Sequence, residues 1–406
     1  MTELNRDIQS WLSDFLRNRN ITSYKVDVAE KTTKGDGYLG EVMFVKVRSD
    51  DGDDGVQIYD LVIKSAKTSE ELRKQTPIEA VYHREMYMYC TVLPEFVRFQ
   101  KERAVDHVFC NYPSCYGVYK ESGKEAIILE NLRIRKYVVH DRRQPQNLHH
   151  VLAVFKNYAN YHAVSLAMKH QRPKMFAELG SSMTDLLSEF AIQANMVAGI
   201  YRDFDAVREL LRQEDPESFR KLQRIQENDL QDALCKIADP PDELCVILHG
   251  DCWNNNMMFQ YKVGNKSKPT AMAFLDFQLA SVGSPIYDLS YYLYSVASDQ
   301  VLDYFDVLLE YYHWHLVGFL RELGESSPDI TLRDLKRHWS LYGSFGMAMA
   351  PFIIKVELSD DNVGDLVESA ESGNLADTFN YELQDMDEYY RRVKSVIRHY
   401  STFLAD

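Results

Sequence analysis

No Cys-x-x-Cys spacing occurs among the six cysteines of this chain (Cys90, Cys110, Cys115, Cys235, Cys245 and Cys252). Neither a zinc ribbon nor a disulfide scaffold is therefore supported, and reduced thiols in a cytoplasmic setting are the expectation. Apolar runs stop short of the ~20 residues a membrane helix needs; the one from Ala271 to Tyr294 is cut by Asp276 and Asp288. The segment Met1 to Leu12 carries Glu3, Arg6 and Asp7 and lacks the apolar core and cleavage site of a secretory signal, so export is not expected. Bases are in deficit as well. Against 61 Asp and Glu stand 46 Lys and Arg, a formal charge of −15, which argues against broad binding to nucleic acid or to a membrane surface. Internal repeats and low-complexity linkers are missing, and no Gly-x-x-x-x-Gly-Lys-Ser/Thr occurs, which excludes a Walker-type phosphate loop.

What remains is a chain of 406 residues, 45% hydrophobic and 26% charged, long enough for two or three domains or for one two-lobed protein with a large core. Up to residue 130 it reads as mixed strand and helix. Glu41 to Val47, Gln57 to Lys64 and Ala126 to Leu129 are strand candidates, and the acidic connector Ser49 to Gly55 reads as an exposed hairpin tip. That connector fills three places of a calcium loop, but Gly52 stands where a ligand belongs and Leu61 replaces the closing Glu. The pattern from Thr76 to Tyr89 is helical, with Pro94 as its expected end. Beyond Asn131 the chain is mostly helical, Val151, Phe155, Tyr158, His162 and Ser165 forming one stripe of a long helix. Two apolar strands, Val246 to Leu248 and Ala271 to Leu275, interrupt it before helices resume at Asp288. The composition changes near residues 130 to 135, which sets the expected division at 1–130 and 131–406.

Directly after the first of those strands comes His249-Gly250-Asp251-Cys252-Trp253-Asn254-Asn255-Asn256. Asp251 and Asn256 are five apart, a spacing at which a loop can offer a carboxylate to a hydroxyl and turn an amide oxygen to a metal. Twenty residues after Asn256, Asp276 again ends an apolar strand. Magnesium takes oxygen ligands and usually only one or two carboxylates beside phosphate oxygens, so Asn256 and Asp276 suit it and the set suits phosphoryl transfer. Each piece alone is ordinary turn chemistry; together they point to a site. His249 reads as a packed or hydrogen-bonded support of the loop rather than a proton carrier, and Cys252 as a packing thiol, with a redox brake on the loop as its alternative.

Upstream, Gly35, Gly37 and Gly40 fit Gly-x-Gly-x-x-Gly-x-Val. A dinucleotide-binding turn needs a helix next; here Val42 to Val47 reads as strand, which favours a kinase-type loop lying over phosphates. Lys64 ends a strand 24 residues after Gly40, placed to neutralise phosphate charge, with Glu85 as the acid that aims it and Glu79 as the rival.

Together these motifs, with His162-Ala163-Val164-Ser165, Asp276-Phe277-Gln278 and Gly283-Ser284-Pro285-x-x-Asp288-Leu289, resemble the ecdysteroid kinase-like (CHK kinase-like) branch of the aminoglycoside phosphotransferase and choline kinase superfamily. The resemblance implies an α+β, protein-kinase-like two-lobed fold: a small antiparallel sheet with one helix, then a large helical lobe. It implies ATP and magnesium as cofactors, Asp251 as catalytic base, Asn256 and Asp276 as metal ligands, and Lys64 with Glu85 on the phosphates. It also implies that Asp288 holds the catalytic loop and that the backbone of Glu130 and Leu132 meets adenine. Relatives often carry Ser where Gly40 stands, a departure that touches the phosphate contact of that loop. Gln278 replaces the glycine of protein kinases, and no Ala-Pro-Glu follows.

The expected partner is a small-molecule alcohol. A steroid-like or xenobiotic alcohol needs a broad apolar cavity, and a choline-like amine needs acids or an aromatic cage. Aromatics of the second half, Tyr291, Tyr292, Tyr294, Tyr311, Tyr312, Trp314, Trp339, Tyr342 and Phe345, are expected mostly in the core. A nucleotide-binding pseudokinase scaffold is the alternative from another class.

Overall fold

The computed structural model describes residues 3–31, 39–49, 56–235, 244–359, 365–373, 375–379 and 381–404. Gly35, Gly37 and the connector from Asp50 to Gly55 lie outside the described residues.

Five antiparallel strands, β1 (Tyr24–Lys31), β2 (Gly40–Ser49), β3 (Gln57–Ala66), β4 (Cys115–Tyr119) and β5 (Ala126–Glu130), form a sheet in the order β1-β2-β3-β5-β4. Side chains alternate across a pleated strand, and here both faces are used. Met43, Val45, Val47, Leu61, Ile63 and Ile128 face Ile8 and Phe15 of two short helices, Glu3–Trp11 and Ser13–Asn18, and Leu12 between them. The alternate residues Val42, Phe44, Val62, Lys64 and Leu129 line a cavity. Those amino-terminal helices are additional to the one helix expected beside the sheet.

The expected helix after Thr76 is present as Ile78–Tyr87, but Pro94 does not end it. A π-helical turn, Met88–Val92, leads into Leu93–Lys101, and Pro94 sits in the first turn of that helix. Proline lacks an N–H and would interrupt a regular ladder; a wider turn just before it absorbs the break.

The rest is mainly helical. Helix Leu148–Gln171 buries Val151, Phe155, Tyr158, His162 and Ser165, as its periodicity requires, and packs against helix Phe305–Glu322. Among its helices the described residues form five further strands: β6 (Val138–Val139), β7 (Val246–Ile247), β8 (Met257–Lys262), β9 (Asn265–Phe274) and β10 (Val282–Gly283). β7 pairs with β10, and β8 pairs with both β6 and β9. The loop from β7 to β8 and the loop from β9 to β10 therefore emerge side by side. Leu248 N donates to Ser281 O at 2.8 Å and Leu275 N to Asn256 O at 2.8 Å, zipping them at both ends. This is the α+β, two-lobed kinase-like architecture, with the sheet above and the helices below a shared cavity.

No single helix among the described residues is long and apolar enough to cross a membrane. Of the aromatics expected in the core, Tyr292, Tyr294, Tyr312, Trp339 and Phe345 are buried there, whereas Trp314 is 69% exposed.

Candidate active site

Asp288 organises the first loop. It lies in the first turn of helix Ile286–Val296, 1% exposed, and four donors converge on its carboxylate. His249 N (2.8 Å) and His162 Nε2 (3.0 Å) reach Oδ2, and Gly250 N (3.0 Å) and Cys252 Sγ (3.1 Å) reach Oδ1. Burial would raise this carboxyl; the hydrogen bonds from His162 and the loop outweigh it and hold it below the ordinary range. Gly250 is left-handed (φ 85°), and a Cβ there would strike Leu279 O. That is the physical reason for glycine at this place. His249 Nε2 meets Leu275 O at 2.8 Å and its Nδ1 accepts from Asp251 N at 3.2 Å, so the ring bridges the two loops, while burial lowers its pKa. The Cys252 thiol is fully buried and burial pushes it well above its ordinary range, the opposite of what a redox brake requires.

Asp251 lies at the mouth of this loop. Gln278 Nε2 reaches its Oδ2 at 3.2 Å and Tyr291 Oη its Oδ1 at 3.4 Å. Burial raises its carboxyl well above the usual range, the nearby Asp276 charge adds to that, and Gln278, Asn256 and Lys64 oppose it. Asn256 Nδ2 donates to Asp251 O at 3.0 Å, so the amide nitrogen is committed to the protein and the amide oxygen is left as an acceptor. Asp276 is held in the left-handed region (φ 62°), which an aspartate tolerates better than most side chains, and this aims its carboxylate across the cleft.

From the sheet side, Lys64 Nζ meets Asp276 Oδ1 at 2.6 Å and Glu85 Oε2 at 2.7 Å. Burial works against the ammonium, but the two carboxylates overcome it and keep the lysine above its ordinary range. Glu79, the rival, instead accepts from Ser122 Oγ at 3.0 Å. At Gly40 a Cβ would strike the Tyr82 hydroxyl, so the place a serine would take is filled from the helix below.

One cavity of about 480 Å³ joins these groups. Gly40, Lys64, Glu85, Glu130, Leu132, Asp251, Asn256 and Asp276 all line it. His249 and Asp288 lie behind the loop and do not. Among the described residues no cluster of three or more His, Cys, Asp or Glu could cage a metal alone. A magnesium ion that keeps water and phosphate ligands needs no such cage, and the Asp276 carboxylate with the Asn256 amide oxygen suits it.

Three groups were beyond the motifs. Arg84, 6% exposed, extends from the Glu85 helix to the carbonyls of Thr184 (3.1 Å), Ser182 (3.0 Å) and Ala280, fastening that helix to the second loop. Nothing in the spacing around it marks that role. Asn254 donates to His140 O and accepts from Gln146 Nε2, both at 2.8 Å, which fixes the 3₁₀ turn Asn254–Asn256. The third is the apolar half of the cavity. Leu187, Phe190, Met196, Ile200, Phe352 and Ile353 contribute to it, and past the loop from β7 to β8 its lining carries no charged side chain among the described residues.

A kinase-like fold whose cleft gathers a lysine, acids and an amide defines the class: a small-molecule kinase, a phosphotransferase with an alcohol group as acceptor. The chain belongs to the ecdysteroid kinase-like family, whose sequence profile matches residues 34–325. No curated protein matches the chain. Among solved structures it is similar to a putative fructosamine-3-kinase from Haemophilus somnus 129PT, at 11% identity and a TM-score of 0.36, covering 91% of this chain and 96% of that one. A glucosamine kinase follows at 10% identity and a TM-score of 0.24, covering 96% and 95%.

Proposed function

We propose that this protein transfers the γ-phosphoryl group of ATP, with magnesium, to a hydroxyl of a lipophilic alcohol, steroid-like (an ecdysteroid) or xenobiotic, in the cytoplasm. The observation that carries this reading is the cavity whose sheet end is ionic and whose helical end, among the described residues, is apolar and uncharged. A choline-like amine would ask for carboxylates in that helical end, and among the described residues none lines it.

In this reading residues 1–130 form the donor lobe and 131–406 the acceptor lobe. Gly35, Gly37 and Gly40 belong to the loop over the phosphates, Lys64 contacts them with Glu85 behind it, and the backbone of Glu130 and Leu132 meets the adenine. Asn256 and Asp276 would hold a magnesium ion, which would neutralise charge on the phosphate oxygens when bound. Asp251 accepts a hydrogen bond from the acceptor hydroxyl, orients its oxygen toward the γ-phosphorus, and takes the proton as the new O–P bond forms and the bond to the leaving ADP oxygen breaks. Gln278 and Tyr291 hold the Asp251 carboxylate for that task. Asp288 and His249 keep the loop in shape from behind.

The test is a screen of purified protein with labelled ATP against ecdysteroids, plant-type alcohols and choline-like amines. Label transferred to a lipophilic alcohol is expected; transfer to amines alone would move the reading to the choline-kinase side. A scaffold without catalysis would also lack the slow magnesium-dependent hydrolysis of ATP expected without any acceptor.

A further inference from the structure

The strand leaving the glycine loop and the apolar chamber belong to different ends of the cavity, and one short helix joins them. Helix Leu366–Ser372 packs against helix Glu70–Gln75, which follows β3. Leu366, 1% exposed, lines the cavity at its helical end, as does Phe379. Gln75 Nε2 donates to Ala370 O at 2.8 Å, and Lys67 Nζ lies 3.5 Å from Asp365 Oδ1, which fastens this helix to the sheet lobe. Asp365 also caps the helix, its Oδ1 accepting from Val367 N at 2.8 Å. The Lys67 and Asp365 side chains are 18% and 19% exposed, and a pair so sheltered is screened little by salt.

Lys67 reaches the other way as well. Its backbone N–H donates to Leu39 O at 3.1 Å, which extends the pairing of β2 and β3 to the residue before Gly40. Leu39 and Gly40 both line the cavity at its sheet end. The Lys67 carbonyl accepts from Arg73 Nε at 2.9 Å, and Arg73 is itself held by the buried Glu125 carboxylate through Nη1 (3.1 Å) and Nη2 (2.5 Å). Lys67 is thus a joint, with its backbone on the glycine strand and its side chain on the chamber helix. Asp365 to Ser372 falls beyond the segment 34–325 matched by the family.

We infer that Lys67 and Asp365 are positioning residues that couple the two substrates: an acceptor in the chamber seats helix Leu366–Ser372, and the joint then holds Leu39 and Gly40 where the nucleotide phosphates need them. The inference rests on the proposed function, since it takes the chamber for the acceptor and the glycine strand for the phosphates. Such a coupling is reciprocal, so each ligand tightens the other by the same factor. It keeps transfer to water slow until an alcohol is seated.

The experiment measures, on the full chain with magnesium, the Kd of a fluorescent non-hydrolysable ATP analogue with and without saturating acceptor. The acceptor is the lipophilic alcohol that takes label fastest in the screen above. Wild type is expected to bind the analogue about 10-fold tighter with the alcohol present, within the usual range of coupling between sites. Lys67→Met leaves the backbone bonds and removes the ion pair. Its affinity without alcohol is expected to stay within about two-fold of wild type, and its coupling to fall below about two-fold. Lys67→Arg keeps the pair and the wild-type coupling. A mere strut of the fold would lower the unfolding temperature and leave the coupling untouched. A wild type whose nucleotide affinity the alcohol does not improve, a folded Lys67→Met variant that couples as wild type does, or a Lys67→Arg variant as uncoupled as Lys67→Met overturns the inference. Should Lys67→Met not fold, Asp365→Asn, which keeps an oxygen for Val367 N and drops the charge, takes its place with the same expectation and the same overturning result. No analogue binding with magnesium, or no lipophilic alcohol labelled in the screen, overturns the proposed function and the inference with it; binding and transfer without coupling overturn the inference alone.

Discussion

At the sheet end of the cavity ionisable groups hold one another in place: Lys64 stands between Glu85 and Asp276, and Asp251 between Gln278 and Tyr291. At the helical end the lining comes from side chains of the segment Leu187 to Ile200, of helix Ser344–Leu358 and from Leu366 and Phe379, with no charged side chain among the described lining residues. The two ends answer different demands. Phosphoryl transfer needs oxygens and nitrogens placed to a fraction of an ångström, which favours short loops leaving paired strands, with a buried carboxylate underneath. Seating an apolar body needs volume and dry surface, which any nearby helices can provide.

The sharpest way to break that comparison is at Asp251. Asp251→Asn keeps the shape and removes the proton acceptor, so turnover of acceptor should fall by about 10²- to 10⁴-fold while nucleotide affinity stays near wild type. Label transfer and fluorescent-nucleotide binding measure the two separately. A variant at full speed would mean that the ionic end is not where the chemistry occurs. Next in size is Asp276→Ala. Losing a ligand and a partner of Lys64 should raise the magnesium needed for nucleotide binding by at least about 10-fold, read in the same binding assay. Unchanged magnesium dependence would remove the metal from this carboxylate.

How much of each end was legible follows from the same difference. That Lys64, Asp251, Asn256 and Asp276 share one cavity was legible because each lies near the end of an apolar run or in the loop after one, at a spacing the chemistry imposes. The loop-holding role of Asp288 and the proposed adenine contact of Glu130 and Leu132 are implied by resemblance alone, since a buried helix-start acid and a backbone contact leave no pattern of their own. The chamber residues Phe190, Met196 and Phe352 sit on helices whose periodicity says only that one side is apolar; whether that side meets protein or a ligand depends on packing far away in sequence. Arg84 was hidden for a related reason. Its partners are carbonyls, which every residue has, so no side chain marks the contact. The sheet was legible from β2, β3 and β5 by their Val-, Ile- and Phe-rich runs, whereas the π-helical turn before Pro94 escaped because a proline usually ends a helix, and here the chain widens its turn instead.

Arg84 joins the two ends, being carried by the Glu85 helix and bonded beyond Gln278 to Ala280. Arg84→Met leaves the carbonyls of Ser182, Thr184 and Ala280 without this donor, and hydrogen bonds from a charged group are worth about 2 kcal/mol in stability. Denaturant unfolding should register that loss. Because the same bonds aim the Glu85 helix, nucleotide affinity should weaken in the folded variant; stability lost with affinity intact would make Arg84 a strut of the fold rather than a link between the lobes.

The smallest expected effect separates the ends most cleanly. Phe352 and Phe379 pack edge-to-face with centroids 4.8 Å apart, and both also line a second cavity of about 210 Å³, with Met196 and Ile200 shared between the two spaces. This second space has a polar rim, Lys355 Nζ lying 3.3 Å from Asp203 Oδ2. Phe352→Ala removes part of the partition, so the acceptor chamber lengthens while the ionic end is untouched. Across a series of alcohols of increasing size, kcat/KM should rise for the largest by about 10-fold, stay level for the smallest, and leave nucleotide affinity unchanged. A one-ring truncation can achieve this because apolar pockets discriminate weakly and by volume, whereas the ionic end discriminates by unmet hydrogen bonds. If every alcohol changes by one common factor, the partition is not the ruler for acceptor size, and the boundary of the acceptor site lies nearer to Asp251.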